Sequence, residues 1–312
     1  MTLILARKIL TAIRNPKLIF VRSYNCAVYI VITLLSTIPA FRRYQDNILG
    51  LWGSQIDSNT KKFIFDNLFN YWIHNIYLKE TDPDRRVALQ LLCMGKSSGV
   101  AWAETYELRQ IDRSVVVNGI PFDEYFPAYL ALENVLKKAG SKVVVVQIGS
   151  SSGREMAYFA NNFPKASFIG IDIDDEIIVR AAKVHKLPNL KFCRAFAHSF
   201  LDNLRIDDDC DLVLWSNGSL QYVQPEHIDI FFANMKRRNI VLIAMENAME
   251  EDVPIDCIHG SRWRGNFSFS HDYKYYAEKN GISTVEYKSI TTSNDPHSIH
   301  YRTKTYYYHC AS

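Results

Sequence analysis

An α/β fold, with an open, mostly parallel sheet covered by helices on both faces, is predicted for the carboxyl-terminal part of this 312-residue chain. An α-helical region precedes it. Three observations predict the fold. From about residue 122, apolar runs of strand length alternate with amphipathic stretches of helix length, the pattern of parallel strands joined by crossover helices. A Gly/Ser loop, Gly149 to Gly153, joins the first apolar run to a helical stretch. An acid, Asp172, stands where the next strand ends.

Each element has its own signature. Residues 60–112 read as helices: Thr60 caps a segment whose Phe63, Phe65, Leu68, Phe69, Trp72, Ile73, Ile76 and Tyr77 recur at helical spacing. Asp82-Pro83 opens another helix, with Val87, Leu91 and Met94 on one face, and Gly95–Gly99 breaks it. Ala101 to Ile111 is helical again, and Val115–Val117 with Asn118-Gly119 is a short extended piece and a turn. Phe122–Lys138 is predicted as one helix ended by Gly140. Strands follow at Val143–Ile148, Phe168–Ile173, Leu190–Arg194, Asp211–Trp215 and Asn239–Met245, with helices at Arg154–Phe163, Asp175–His185 and Pro225–Met235. Ser270 is the expected cap of a helix running to Asn280. Ser283–Thr291 and His300–Cys310 close the chain as a strand pair that only a loop joins, hence antiparallel, for seven strands in the sheet.

The Gly/Ser loop lets a ligand approach the backbone closely, and the helix behind it offers free amides. Asp172 lies 19 residues beyond Gly153, where a carboxylate can accept hydrogen bonds from both hydroxyls of an adenosine ribose. A tight turn and a helix-capping acid would read similarly, but Asp174 is the better placed cap.

On these residues the stretch 122–310 resembles the class I S-adenosylmethionine-dependent methyltransferases, a Rossmann-like family. Gln147-Ile-Gly149-Ser150-Ser151-Ser-Gly153 resembles the family's acid-x-Gly-x-Gly-x-Gly motif, with Gln147 for the acid and Ser151 for the middle glycine. Gln147 can hydrogen-bond but cannot counter the cofactor's ammonium charge. Gly170-Ile-Asp172, with Ile173 next, resembles the ribose-binding strand end. Phe192-Cys-Arg-Ala195-Phe196-Ala197 resembles the adenine-side motif, with Phe196 where the family often has an acid. Asp211 to Asn217, including Trp215 and Ser216, followed by Leu220–Pro225, resembles the strand end that lines the methyl-transfer site. The resemblance implies S-adenosylmethionine as cofactor and in-line displacement at its sulfonium methyl, catalysed largely by positioning.

A hydroxyl acceptor would call for a general base. His198, Glu246, His259 and His271 stand at strand ends or in loops after them, with Glu246 first on its place after the fifth strand. Each also reads as a solvated or capping side chain. Arg262-Trp263-Arg264 suits an anionic or sugar substrate, or is simply a solvated loop. Trp102, with Glu104 and Tyr106, would form a lid or pack among helices. A nicotinamide-dependent oxidoreductase is the rival reading, opposed by the missing GxGxxG order and the closing hairpin; a non-catalytic S-adenosylmethionine-binding module is the third.

Composition bounds the rest. Hydrophobic residues are 48% and charged residues 22%, which excludes global disorder, and a net charge of +3 gives no argument for nucleic acid. Residues 1–50 carry seven Lys or Arg against the single acid Asp46, so an amino-terminal region of 1–120 with a basic arm precedes a mildly acidic body of 121–312. Ser23–Phe41 is a 19-residue uncharged run between Arg22 and Arg42-Arg43. It reads equally as a helix lying in the inner face of a membrane and as a buried helix of a bundle. The six cysteines show no C-x-x-C spacing, and no cleavage site follows an early apolar core, which suits a reducing cytoplasm. No metal-ligand cluster is legible, so a metal-independent enzyme is expected. The acceptor, a small molecule or glycan made at the membrane by analogy, and the oligomeric state are not written in the sequence.

Overall fold

The computed structural model describes residues 73–74, 76–94, 103, 109–117, 119–139, 143–205, 210–247, 260–265, 267–291 and 304–311. Trp102, His259 and the run 23–41 lie outside them. The chain divides into two units, Met1–Glu80 and Thr81–Ser312. In the first, residues 76–79 are helical and Ile73 and Tyr77 are buried.

The second unit is built on one seven-stranded sheet. In chain order its main elements are α1 (Pro83–Met94), the small hairpin β1 (Val116–Val117) and β2 (Ile120–Pro121), α2 (Phe122–Tyr125), α3 (Pro127–Ala139), β3 (Val143–Ile148), α4 (Arg154–Asn162), β4 (Ser167–Asp172), α5 (Asp175–Val184), β5 (Leu190–Arg194), α6 (Ala197–Asn203), β6 (Asp211–Asn217), a 3-10 turn (Leu220–Tyr222), α7 (Pro225–Arg238), β7 (Val241–Asn247), β8 (Ser261–Gly265), β9 (Ser268–His271), α8 (Tyr273–Lys279), β10 (Ser283–Thr291) and β11 (Lys304–Ala311). The sheet order is β10-β11-β7-β6-β3-β4-β5. Pairings from β7 to β5 are parallel, and β11 runs antiparallel to both β7 and β10.

Alternate residues of β3 feed two cores, which is why it reads as an unbroken apolar run. Val144, Val146 and Ile148 pack with Ile228, Phe231 and Met235 of α7 and Tyr273 and Tyr276 of α8. Val143 and Val145 pack on the other face with Tyr129 and Leu132 of α3, Met156 and Phe159 of α4, and Trp215 of β6.

Four local expectations change. The helix predicted over Phe122–Lys138 breaks at Phe126, φ −121° and ψ 64°, because Pro127 disfavours helical backbone at the residue before it. Ser270 is not a cap: it lies in β9, and Asp272 caps α8 by accepting from the Tyr275 N–H at 2.9 Å. Asn239 ends α7 in the left-handed region, φ 54°, so β7 starts at Val241 and runs on to Asn247. The β8–β9 hairpin and the short α6 are additions, the latter too short to show a helical period.

Candidate functional site

The carboxyl ends of β6, β3, β4 and β5 lie side by side in that order, and the loops leaving them bound a cavity of about 660 Å³. That is within the range of small-molecule and cofactor sites. Helix α1 adds Val87, Gln90 and Leu91 to its wall. The α1 wall is fixed by the buried Gln90, which donates to the carbonyls of Tyr222 (3.0 Å) and Phe267 (3.1 Å) and accepts from Gln224 (3.1 Å).

The loop between β3 and α4 carries three residues at positive φ: Gly149 (64°), Ser151 (46°) and Gly153 (76°). Its two glycines are also needed for space. A Cβ on Gly149 would lie 2.2 Å from Ser219 Oγ, and one on Gly153 would lie 2.5 Å from the Phe192 ring. Ser151 takes a left-handed conformation that glycine adopts freely, at a cost of roughly 1–2 kcal/mol. Its N–H donates to Asp172 Oδ2 at 3.0 Å, which offsets that strain and ties the loop to the end of β4.

Asp172 Oδ1 also accepts from the Asp174 N–H at 3.2 Å. Burial pushes its carboxyl upward against those two bonds. Asp174, by contrast, caps α5 through the N–H groups of Glu176 and Ile177. At the β5 end, Phe196, Ala197 and His198 line the cavity. The His198 ring stacks at 3.9 Å on His227, and burial, helped by His227, lowers it to about 4, so it is neutral near pH 7.

Of the residues singled out in the sequence, Gln147, Gly149, Ser150, Ser151, Asp172, Ile173, Phe196, Ala197 and His198 therefore share one cavity wall. Gly153 supports the loop from behind. Trp215 and Ser216 sit differently from the motif's expectation. Both are fully buried: Trp215 is in the core against Tyr129 and Phe159, and Ser216 donates to Glu246 at 2.5 Å.

Glu246 and His271 are likewise withdrawn from the cavity. Glu246 is 0% exposed and accepts the N–H groups of Ser219 (3.0 Å), Leu220 (3.0 Å) and Gln221 (3.3 Å). Burial outweighs these bonds and raises it to about 7. With its oxygens turned to the backbone, it shapes the loop after β6 and does not face a substrate. His271 donates from Nε2 to the Val223 carbonyl at 3.1 Å, which leaves Nδ1 to accept from Ser261 Oγ at 2.7 Å. Burial lowers it to about 3, so it is a neutral strut between loop and hairpin. Arg262 is exposed on β8, while Arg264 Nη1 donates to Gln221 Oε1, a cavity residue, at 3.4 Å.

Glu155 carries no sequence signal beyond an acid in a helix's first turn, an ordinary complement to the helix dipole. In the structure it lines the cavity as a junction of side chains. Its Oε1 accepts from Tyr129 Oη (2.6 Å) and Asn217 Nδ2 (2.7 Å), and its Oε2 accepts from Gln147 Nε2 (2.6 Å) and Trp215 Nε1 (3.1 Å). Gln147 Oε1 and Ser150 Oγ are buried with no hydrogen-bond partner. Both residues line the cavity, and an unpaired buried polar group there is one that a bound ligand can satisfy. A shaped loop, a ribose-height carboxylate, an apolar β5 end and two waiting acceptors fit S-adenosylmethionine.

The profile of the family described as "Methyltransferase domain" matches residues 145–238, the stretch from β3 to the end of α7. No curated protein sequence matches the chain. Among solved structures, a geranyl diphosphate C-methyltransferase from Streptomyces coelicolor A3(2), in complex with Mg2+, geranyl diphosphate and S-adenosyl-L-homocysteine, is 14% identical with a TM-score of 0.45, over 70% of this chain and 99% of that one. An S-adenosylmethionine-dependent methyltransferase from Mesorhizobium loti is 14% identical with a TM-score of 0.43, over 59% and 97%. One from Anabaena variabilis is 10% identical with a TM-score of 0.43, over 69% and 95%. The stretch from β3 to the end of α7 is thus similar to methyltransferase domains.

Proposed function

We propose that the chain transfers the cofactor's methyl group to a hydroxyl of a small polar molecule or sugar, made at a membrane. The observation that carries the cofactor's placement is the continuous wall from Phe196 through Asp172 to Gln147, Glu155 and Gln221 around one cavity. Asp172 accepts the ribose hydroxyls. Because β5 and β3 flank β4, adenine lies toward Phe196, Ala197 and His198, and the amino-acid tail toward Gln147, Ser150 and Asn217. When bound, the cofactor supplies an electrophilic methyl carbon on a sulfonium. The chain's residues hold it and exclude water.

The acceptor site is assigned to the β6 side, between Gln221, Tyr222 and the α1 residues Val87 and Leu91, with Arg264 behind Gln221. The wall from α1 supports a cover role for that part of the region 1–120. His198, on the adenine side and lowered to about 4, serves as a wall and is too weak a base to hold the acceptor's proton; catalysis is by positioning, and as the C–O bond forms and the C–S bond breaks the hydroxyl proton passes to solvent water. The guanidiniums of Arg262 and Arg264 favour an oxygen-rich acceptor. The basic residues within 1–50 favour its delivery from an anionic membrane face. No helix among the described residues is long and apolar enough to cross a membrane.

The test is transfer of labelled methyl from S-adenosylmethionine to panels of hydroxylated small molecules, oligosaccharides and lipid-linked sugars, with and without anionic vesicles. Labelled sugars with vesicle-dependent rates are expected. Transfer to amines or carboxylates alone, indifferent to vesicles, would overturn the acceptor assignment. Tight cofactor binding with no transfer to any class would favour the non-catalytic reading.

A further inference from the structure

We infer that Glu155 and Gln147 act as one unit that receives the cofactor's ammonium group: Glu155 supplies the negative charge and Gln147 Oε1 the contact. This rests on the placement of S-adenosylmethionine in the cavity and deepens it.

S-Adenosylmethionine brings an ammonium into a partly enclosed site, and a cation there needs an opposite charge nearby. At the end of β3 the chain offers an uncharged amide, Gln147, whose side chain is 3% exposed. The amide is oriented. Its Nε2 donates to Glu155 Oε2 at 2.6 Å, which forces its Oε1 the other way, buried and without a protein partner. Glu155 is itself pinned. Its four bonds come from Tyr129, Asn217, Gln147 and Trp215, all neutral donors that together use the acceptor sites of a carboxylate. They hold the charge in place without neutralising it. A carboxylate so saturated does not meet the ligand directly. It acts through the amide, polarising Gln147 so that Oε1 becomes a stronger acceptor. Contacts to Gln147 on β3 and to Trp215 and Asn217 on β6 put this unit on the side of β3 away from β4 and Asp172, where the amino-acid tail lies.

The unit also explains features that look unrelated. Tyr129 and Trp215 are deep core aromatics, yet each turns its one polar atom to Glu155. The negative charge sits in the first turn of α4, and three other elements, α3, β3 and β6, hold it there.

The test is calorimetric binding to the full chain and does not need turnover. S-Adenosylhomocysteine carries the ammonium; 5′-methylthioadenosine keeps adenosine and sulfur but lacks the amino-acid tail. Glu155→Gln is expected to weaken S-adenosylhomocysteine about tenfold or more, the scale of a lost charge-assisted contact, while methylthioadenosine stays within about twofold. Gln147→Leu, which keeps Glu155 but removes Oε1, is expected to give the same split. The double variant Gln147→Glu/Glu155→Gln returns a carboxylate to the strand end and is expected to recover most of the loss. If both variants bind the two ligands as the wild type does, or lose both alike, the unit has no role in ammonium binding. If the wild type binds neither ligand, the failure lies in the cofactor placement.

Discussion

Two strand-end carboxylates of the same sheet have opposite fates. Asp172 ends β4 and Glu246 lies near the end of β7, so their sequence positions look alike. Asp172 accepts two backbone N–H groups and still lines the cavity. Glu246 accepts three, takes a hydroxyl from Ser216 as well, and sees no solvent. The difference lies in the next stretch of chain. After β4 the chain turns into α5, capped by Asp174, so Asp172 is spared that task. The loop leaving neighbouring β6 carries the 3-10 turn Leu220–Tyr222 over Glu246, and the N–H groups of Ser219, Leu220 and Gln221 all donate to it. A strand-end acid can serve a ligand where the backbone that claims it leaves it on the cavity wall, as at Asp172, and not where the loop closes over it, as at Glu246.

That contrast can be broken in several ways. The largest expected effect is on Glu246→Ala, which strands three N–H groups, two of them in buried bonds, and should cost about 3–5 kcal/mol of stability in a urea titration. Cofactor affinity per folded molecule should change less than in any Asp172 variant. Asp172→Ala should show the reverse: about a hundredfold weaker S-adenosylhomocysteine, from two lost charge-assisted bonds, with a folded far-ultraviolet spectrum. Equal losses of stability in the two variants would erase the contrast.

Gly149→Ala comes next, at about 1–3 kcal/mol, because φ of 64° is strained for alanine and the new methyl collides with Ser219. Thermal melts would read it, and the loop shift should weaken cofactor too.

The smallest net effects are in pH, where two buried groups act in opposite directions. Glu246 is raised to about 7 when folded, from an ordinary 4.5. The folded state therefore holds a proton that the unfolded chain has released, and stability from this group falls as pH rises from about 4.5 to 7. His271 is lowered to about 3, from an ordinary 6.5. Its contribution is full above about 6.5 and is lost as pH falls toward 3. Stability profiles of Glu246→Gln and His271→Gln should each lose one of these opposed slopes.

How much of this was legible in the sequence follows the same physics. Buried parallel strands announce themselves as apolar runs, so β3 and β4 were read almost to the residue, and the Gly/Ser loop and Asp172 fell into one cavity wall. Side chains whose role depends on distant partners were not legible. Glu155 looks like any first-turn acid, and only folding brings Tyr129, Trp215 and Asn217 to it. Gln147 read as a weakened position because its partner, eight residues on, was hidden. Glu246, Trp215 and His271 carried motif-like positions, but their side chains turn into the core. The β8–β9 hairpin was missed because its strands are short and rich in Ser, Arg and Gly, which give no clear alternation.

The most direct test of the central claim is calorimetric titration of the full chain with S-adenosylhomocysteine and NADH in parallel. Saturable one-to-one binding of S-adenosylhomocysteine, lost in Asp172→Ala, with NADH silent, is the predicted result. Saturable binding of NADH with S-adenosylhomocysteine silent would contradict it.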